Sequence, residues 1–272
     1  MMTLDILICT IGERINRVPQ MLLPQRDDVN YIVSWQIDGM SFNQFSALTQ
    51  AFSSRRDVKV FTLEGKGLSR NRNNAIDHST ADICLIADDD CTYTAEQIDR
   101  IMQTYQSNTI DDIICFMAST DEGHPLKHYP AASCCYAEAL KEGYYPSSVE
   151  MTFRRQRIGD LRFNEQFGLG SGKYAFGEES VFMKDAADRR LNILFKNTTI
   201  VKTEGVTTGS KFLTDPLYQT AKGAVFSYCY PYGHAVVLCL KEAFHHMRYS
   251  KANPFTILKN MLYGVNHCHT RS

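Results

Sequence analysis

The chain has 272 residues, 44% hydrophobic and 22% charged, with a formal charge of −1 at pH 7. This describes a globular chain of one large domain, or one domain with an appendage, and the near-neutral balance excludes a protein that coats nucleic acid through long-range electrostatics. Nine cysteines without a CxxC pair read as neither a disulfide framework nor a zinc site, and no leader or run of membrane-spanning length is legible, so a cytoplasmic protein is expected.

In chain order, apolar runs alternate with helical patterns. LDILICT (Leu4–Thr10), VNYIVSWQID (Val29–Asp38), DVKVFTL (Asp57–Leu63), ADICLIA (Ala81–Ala87) and DDIICFMA (Asp111–Ala118) read as strands. Helices are expected over Glu13–Leu23, Phe42–Ser53, Leu68–His78 and Ala95–Tyr105. Strands and helices at this spacing predict an α/β fold with a doubly wound, mostly parallel sheet. From about Ser119 to Ser148 the pattern loosens into loops or a small side sheet. After Pro216 the chain turns helical, with candidates at Ala221–Cys229, Ala235–Met247 and Pro254–Tyr263. No internal repeat or low-complexity linker is present.

The fourth run feeds directly into Asp88, Asp89 and Asp90. A short, continuous apolar stretch suits a central parallel strand, so the three carboxylates fall at a carboxyl edge, where open α/β sheets keep their ligands. Three like charges this close repel one another unless solvent, partners or a cation offsets them, so a positive group is expected beside them.

Several motifs fail on these residues. Asp88, Asp90 and Thr92 fit the DxDxT pattern of haloacid-dehalogenase-like phosphatases, but three strand candidates precede them, and the best downstream acidic motif is only GDLRFN at Gly159. A calcium loop lacks its central glycine and terminal glutamate. GLGSGKY at Gly168 has the wrong glycine spacing for a phosphate loop.

KGLSRNRNNAIDHSTADICLIADDD, Lys66–Asp90, resembles the segment of family 2 glycosyltransferases in which an Arg-Asn pair, here Arg72 and Asn73, opens a helix leading to the DXD strand. LRFNEQFGLGSGKYAFGEESVFMKDA, Leu161–Ala186, resembles that family's acceptor stretch ending in its Glu-Asp motif. The two occur in order, about 90 residues apart, and the combination is more specific than either alone. The resemblance covers roughly residues 4–210 and implies the GT-A fold. It divides the chain into a catalytic domain, 1–214, with a nucleotide-sugar half (about 1–118) and an acceptor half (about 119–214), and a helical C-terminal extension, 215–272.

The activity implied is an inverting, metal-dependent transfer from a nucleotide-sugar, with a uridine diphosphate sugar as the expected donor. The implied acceptor is a saccharide or lipid-linked saccharide, as in bacterial surface polysaccharide assembly. By resemblance Asp90, with Asp88, would hold Mn2+ or Mg2+, and Asp88 would reach the ribose or the metal through water. Asp89 is left open between assisting and facing solvent. Thr10, Glu13 and Asp38 match positions that grip base and ribose, with Arg72 near the diphosphate or base and Asn73 beside it. Glu179 aligns with the catalytic base, and Glu178 is a second candidate base or an acceptor-orienting group. The family's histidine after this helix is missing from IVKTEGVTTG, leaving Thr203, Glu204 or water for that position. The competing readings are a phosphatase with Asp88 as nucleophile and a non-catalytic sugar-nucleotide module.

The basic, aromatic tail suits either packing on the catalytic domain or peripheral contact with the inner membrane face through its helices.

Overall fold

A computed structural model describes residues 1–37, 39, 50, 52–204, 208–245 and 252–268. Among these, eight strands form one sheet: β1 (Leu4–Ile11), β2 (Val29–Gln36), β3 (Val58–Leu63), β4 (Ile83–Asp88), β5 (Ile113–Thr120), β6 (Cys134–Cys135), β7 (Met151–Arg154) and β8 (Ile193–Thr203). The spatial order is β3-β2-β1-β4-β7-β5-β8-β6. The pairs β2–β3, β1–β2, β1–β4 and β5–β8 are parallel, whereas β7 runs antiparallel to both β4 and β5, and β6 antiparallel to β8. The apolar runs behave as central strands should, with every residue from Leu4 to Thr10 and from Ile83 to Ala87 buried.

The order determines where a ligand belongs. From β1 the chain steps outward to β2 and β3, then returns to place β4 on the other side of β1. The reversal creates a switch point at the carboxyl ends of β1 and β4, the crevice in which open α/β sheets bind ligands. Cys9 pairs with Asp88 there, so Thr10 and the three aspartates leave the sheet side by side.

Helix α1 spans Leu68–His78, the range the sequence predicts, and α2 spans Ala95–Ser107. Thr94 closes a capping box with Gln97, which ends the loop after the aspartates. Gly12–Met21 is a 3-10 helix, and α3 (Tyr136–Lys141) lies in the loose stretch before β7. The helix expected over Phe42–Ser53 lies outside the described residues except for 50, 52 and 53.

The chain divides into two compact units, Met1–Lys66 with Arg70–Arg162 and Ala186–Gly205, and Gly67–Ser69 with Phe163–Asp185 and Val206–Ser272. The first holds the sheet and a core built on Ile6, Val33, Trp35, Leu85 and Phe116. Its buried Asp5 is satisfied by the backbone N–H groups of Thr80 (2.8 Å) and Ala81 (3.0 Å).

The second unit contains the start of α4 (Glu178–Asp188), then α5 (Pro216–Cys229), α6 (Tyr232–His245) and α7 (Pro254–His267). No helix among the described residues is long and apolar enough to cross a membrane. Helices α5 and α7 cross at two glycines. A Cβ on Gly223 would collide with the Met261 carbonyl, and one on Gly264 with the Thr220 carbonyl. Both obstacles are backbone and cannot swing aside, so Gly223→Ala is expected to cost about 1–3 kcal/mol or more. Thermal denaturation checks this, and an unchanged Tm would contradict so tight a crossing.

Candidate active site

The three aspartates have three different surroundings. Asp89 is buried: the Thr10 hydroxyl donates to its Oδ2 at 2.7 Å, and Arg14 Nε donates at 2.9 and 3.0 Å to its two oxygens, with Arg14 Nη2 completing the fork. Asp89 therefore does not face solvent. It anchors a guanidinium that the sequence reading overlooked. Thr10, buried beside it, also accepts an N–H from the Asn71 amide at its carbonyl (3.0 Å). The hydroxyl proposed for the ribose is thus engaged with Asp89.

Asp88 is partly open. Arg72 Nη2 lies 3.3 Å from its Oδ1, Ser148 Oγ lies 3.5 Å from its Oδ2, and Arg72 Nη2 donates to Ser148 Oγ at 2.7 Å. Arg72 is 1% exposed, so its charge acts from beneath the edge, on Asp88. Asn73 is also buried.

Asp90 is partly buried, with Thr203 Oγ1 donating to its Oδ1 at 3.4 Å and Arg14 Nη2 lying 3.9 Å from its Oδ2. Burial, then the neighbouring charges of Asp88 and Asp89, push its carboxyl above the ordinary range, against the pull of Arg14. Thr203 arrives because Thr92 and Lys202 exchange backbone hydrogen bonds (2.8 and 3.0 Å), joining the loop after the aspartates to the end of β8. Glu204 pairs with Arg17 at 3.0 Å. Glu13 is exposed on the 3-10 helix, and Asp38 lies outside the described residues.

Asp88 and Asp90 are the carboxylates with capacity left for a cation. Among the described residues no group of three His, Cys, Asp or Glu side chains is placed to hold a metal unaided. That is compatible with a hard divalent ion, which commonly takes one or two carboxylates and completes its shell with phosphate oxygens and water. The raised carboxyl of Asp90 is a second point of fit, since a bound cation would favour its charged form.

Ser148 owes its place to Glu150, which is fully buried. Lys127 Nζ lies 3.1 Å from its Oε1, the Tyr129 hydroxyl donates at 2.7 Å, and the Tyr144 hydroxyl and Ser147 N–H each donate at 3.0 Å. This network holds the single 3-10 turn Ser148–Glu150 under Asp88. Glu150→Ala would remove the charge partner of Lys127 and an acceptor from each of two buried hydroxyls, which keep the Ala118 and Phe116 carbonyls, at an expected cost of about 1–3 kcal/mol. Chemical denaturation would read that loss, and a change below about 1 kcal/mol would deny the network its structural role.

In the second unit, α4 begins with Glu178 and Glu179, two acids favourably placed at a helix N-terminus. Glu178 is buried, whereas Glu179 is partly open. Gly168 (φ +103°) lies against Glu178, and a Cβ there would meet Ser69 Oγ at 3.0 Å and Glu178 Cδ at 3.2 Å. Ser69 Oγ donates to the Phe167 carbonyl at 2.6 Å, and Leu68 N–H to Leu169 at 2.8 Å. The GLGSG stretch is thus a tethered cover over Glu178.

The sequence profile described as "Glycosyl transferase family 2" matches residues 38–184, more than half of the chain. The chain belongs to glycosyltransferase family 2. Solved structures of S. aureus TarS residues 1–349 have the same fold as this family 2 glycosyltransferase. The TarS 1–349 structure is 12% identical with a TM-score of 0.60, covering 97% of this chain and 90% of the other. The same protein in complex with UDP gives 13%, 0.61, 97% and 90%, and in complex with UDP-GlcNAc 11%, 0.59, 97% and 91%. No curated protein matches the chain by sequence.

The glycosyltransferase thus has the GT-A fold the sequence predicts. Its donor-edge candidates Thr10, Arg72, Asp88, Asp89 and Asp90 meet at one switch point. Arg14, Ser148 and Glu150 complete that edge and were missed. Signals existed for two of them: Arg14 follows the β1 run by one short turn, and Ser147-x-x-Glu150 has the spacing of a capping box.

Proposed function

We propose that this protein is an inverting glycosyltransferase that moves a sugar from a nucleotide-activated donor, a uridine diphosphate sugar, to a saccharide or lipid-linked saccharide acceptor. The observation that carries the reading is the joining of Asp88, Asp90 and the half-open Arg14 at the β1–β4 switch point. Carboxylates beside a fixed guanidinium suit a ligand that brings both phosphate and a hard cation. The UDP and UDP-GlcNAc complexes of TarS, which shares the fold, favour the same ligand class.

Asp90 and Asp88 would hold the divalent ion, whose chemistry is to stabilise negative charge on the departing diphosphate. Arg72 and Ser148 orient Asp88, and Asp89 holds Arg14 toward the diphosphate. Glu179 takes the acceptor hydroxyl proton as its oxygen attacks the anomeric carbon, while the bond from that carbon to the diphosphate oxygen breaks. Attack opposite the leaving group inverts the centre through an oxocarbenium-like transition state. Glu178 orients the start of α4.

A dehalogenase-type phosphatase would need Asp88 as nucleophile, yet Arg72 and Ser148 both bond that carboxylate on the fourth strand of the sheet. A thermal-shift screen of nucleotides and nucleotide-sugars with manganese tests the proposal. Stabilisation by uridine diphosphate and at least one of its sugars is expected. Phosphate release from monoesters without nucleotide stabilisation would favour the phosphatase.

A further inference from the structure

Charge is unevenly divided along this chain. Residues 216–272 contain six lysines and arginines (Lys222, Lys241, Arg248, Lys251, Lys259 and Arg271) against the single acid Glu242, a formal +5 in a chain whose total is −1. An asymmetry of this size points to an anionic partner.

The same stretch shows an apolar strip that its own packing does not use. On α6, Ala235, Cys239 and Ala243 form the inner stripe, packed with Ile257, Met261 and Val265 of α7. Val237, Leu240 and Phe244, at i, i+3 and i+7, lie on another face of α6 and are 59%, 42% and 39% exposed. Phe255, at the start of α7, is 69% exposed, and its ring meets Phe244 edge to face at 5.7 Å, so the strip continues across both helices. Lys241 follows Val237 by four residues and Lys259 follows Phe255 by four, and both lysines are exposed. Each helix therefore carries a cation one turn along from an exposed apolar side chain.

We propose that this face of the second unit docks on an anionic lipid surface. Val237, Leu240, Phe244 and Phe255 would sit beneath the headgroups while Lys241 and Lys259 reach lipid phosphates with their stems along the apolar strip. Charge selects this occupant. A second copy seated on this face would set Lys241 and Lys259 against like charges, and a nucleic acid would satisfy the cations while leaving the apolar strip in water.

Flotation of the full-length protein tests the proposal. The probes are vesicles of phosphatidylglycerol with phosphatidylcholine, and of phosphatidylcholine alone, each at low and high salt. Wild type is expected to float with the anionic vesicles at low salt, several-fold less at high salt, and little with the neutral ones. Leu240→Ser combined with Phe244→Ser and Phe255→Ser should abolish flotation while the protein stays folded, because none of the three belongs to the inner stripe. Lys241→Glu with Lys259→Glu should weaken it most at low salt. Three results would overturn the proposal: wild type of normal Tm staying with the soluble fraction at low salt, the apolar triple variant floating like wild type, or a wild-type dimer in sedimentation that the triple variant dissolves.

Discussion

Glu179→Gln is expected to leave nucleotide binding nearly unchanged and to slow sugar transfer about 100-fold or more, the usual scale for losing a general base. The substitution keeps size and removes proton affinity. The two neighbouring acids differ in access: Glu179 is partly open, while Glu178 is buried against Gly168 at the start of α4. A base must reach an acceptor hydroxyl, and the open residue is better placed to do so. Glu178→Gln should act on the packing of the 168–172 cover, lowering Tm with a smaller loss of transfer. Steady-state kinetics with calorimetric binding on both variants separates the roles. If Glu178→Gln abolishes transfer and Glu179→Gln does not, the roles are exchanged.

Asp90→Asn should weaken uridine diphosphate binding at least about 10-fold in manganese, the scale on which disturbed ligand shells lose metal affinity, with far less change in chelator. The neighbours of Asp90 are a hydroxyl at 3.4 Å and a guanidinium nitrogen at 3.9 Å, so it retains oxygen capacity that Asp89, enclosed by Thr10 and Arg14, lacks. Asp89→Asn should therefore release Arg14 and weaken binding in manganese and in chelator alike. Titration of uridine diphosphate into each variant under both conditions distinguishes them. An Asp90→Asn variant that keeps the wild-type ratio of affinities in manganese and in chelator would remove Asp90 from the metal site.

What could be read from the sequence followed the strength of the local pattern. Continuous apolar runs located β1 to β5, and α1 was legible to its bounds because glycine precedes it and a polar Ser-Thr pair follows His78. Helix α5 starts earlier than its apolar pattern suggests, because Asp215 caps the proline that opens it, whereas α7 opens at Pro254 as expected, capped by Asn253, and runs past Tyr263 to His267. Strand β7 was illegible: four residues after a 3-10 turn show no period, and only the sheet reveals that they separate β4 from β5. Polar KNTT within β8 concealed the strand that carries Thr203 to Asp90. The need for positive charge beside three carboxylates was legible, but not its source, because the pairings of Arg14 with Asp89 and Arg72 with Asp88 span 75 and 16 residues. Such pairings depend on strand order, which no local pattern encodes.

The central claim is that the β1–β4 edge activates a nucleotide-sugar for transfer, and the most direct test is nucleoside diphosphate release from a panel of nucleotide-sugars with saccharide acceptors and manganese. The account predicts turnover of at least one uridine diphosphate sugar by wild type, lost in chelator and in Asp90→Asn, and reduced about 100-fold in Glu179→Gln. Folded wild-type protein that binds no nucleotide and releases none from any donor, while liberating phosphate from monoesters, would contradict it.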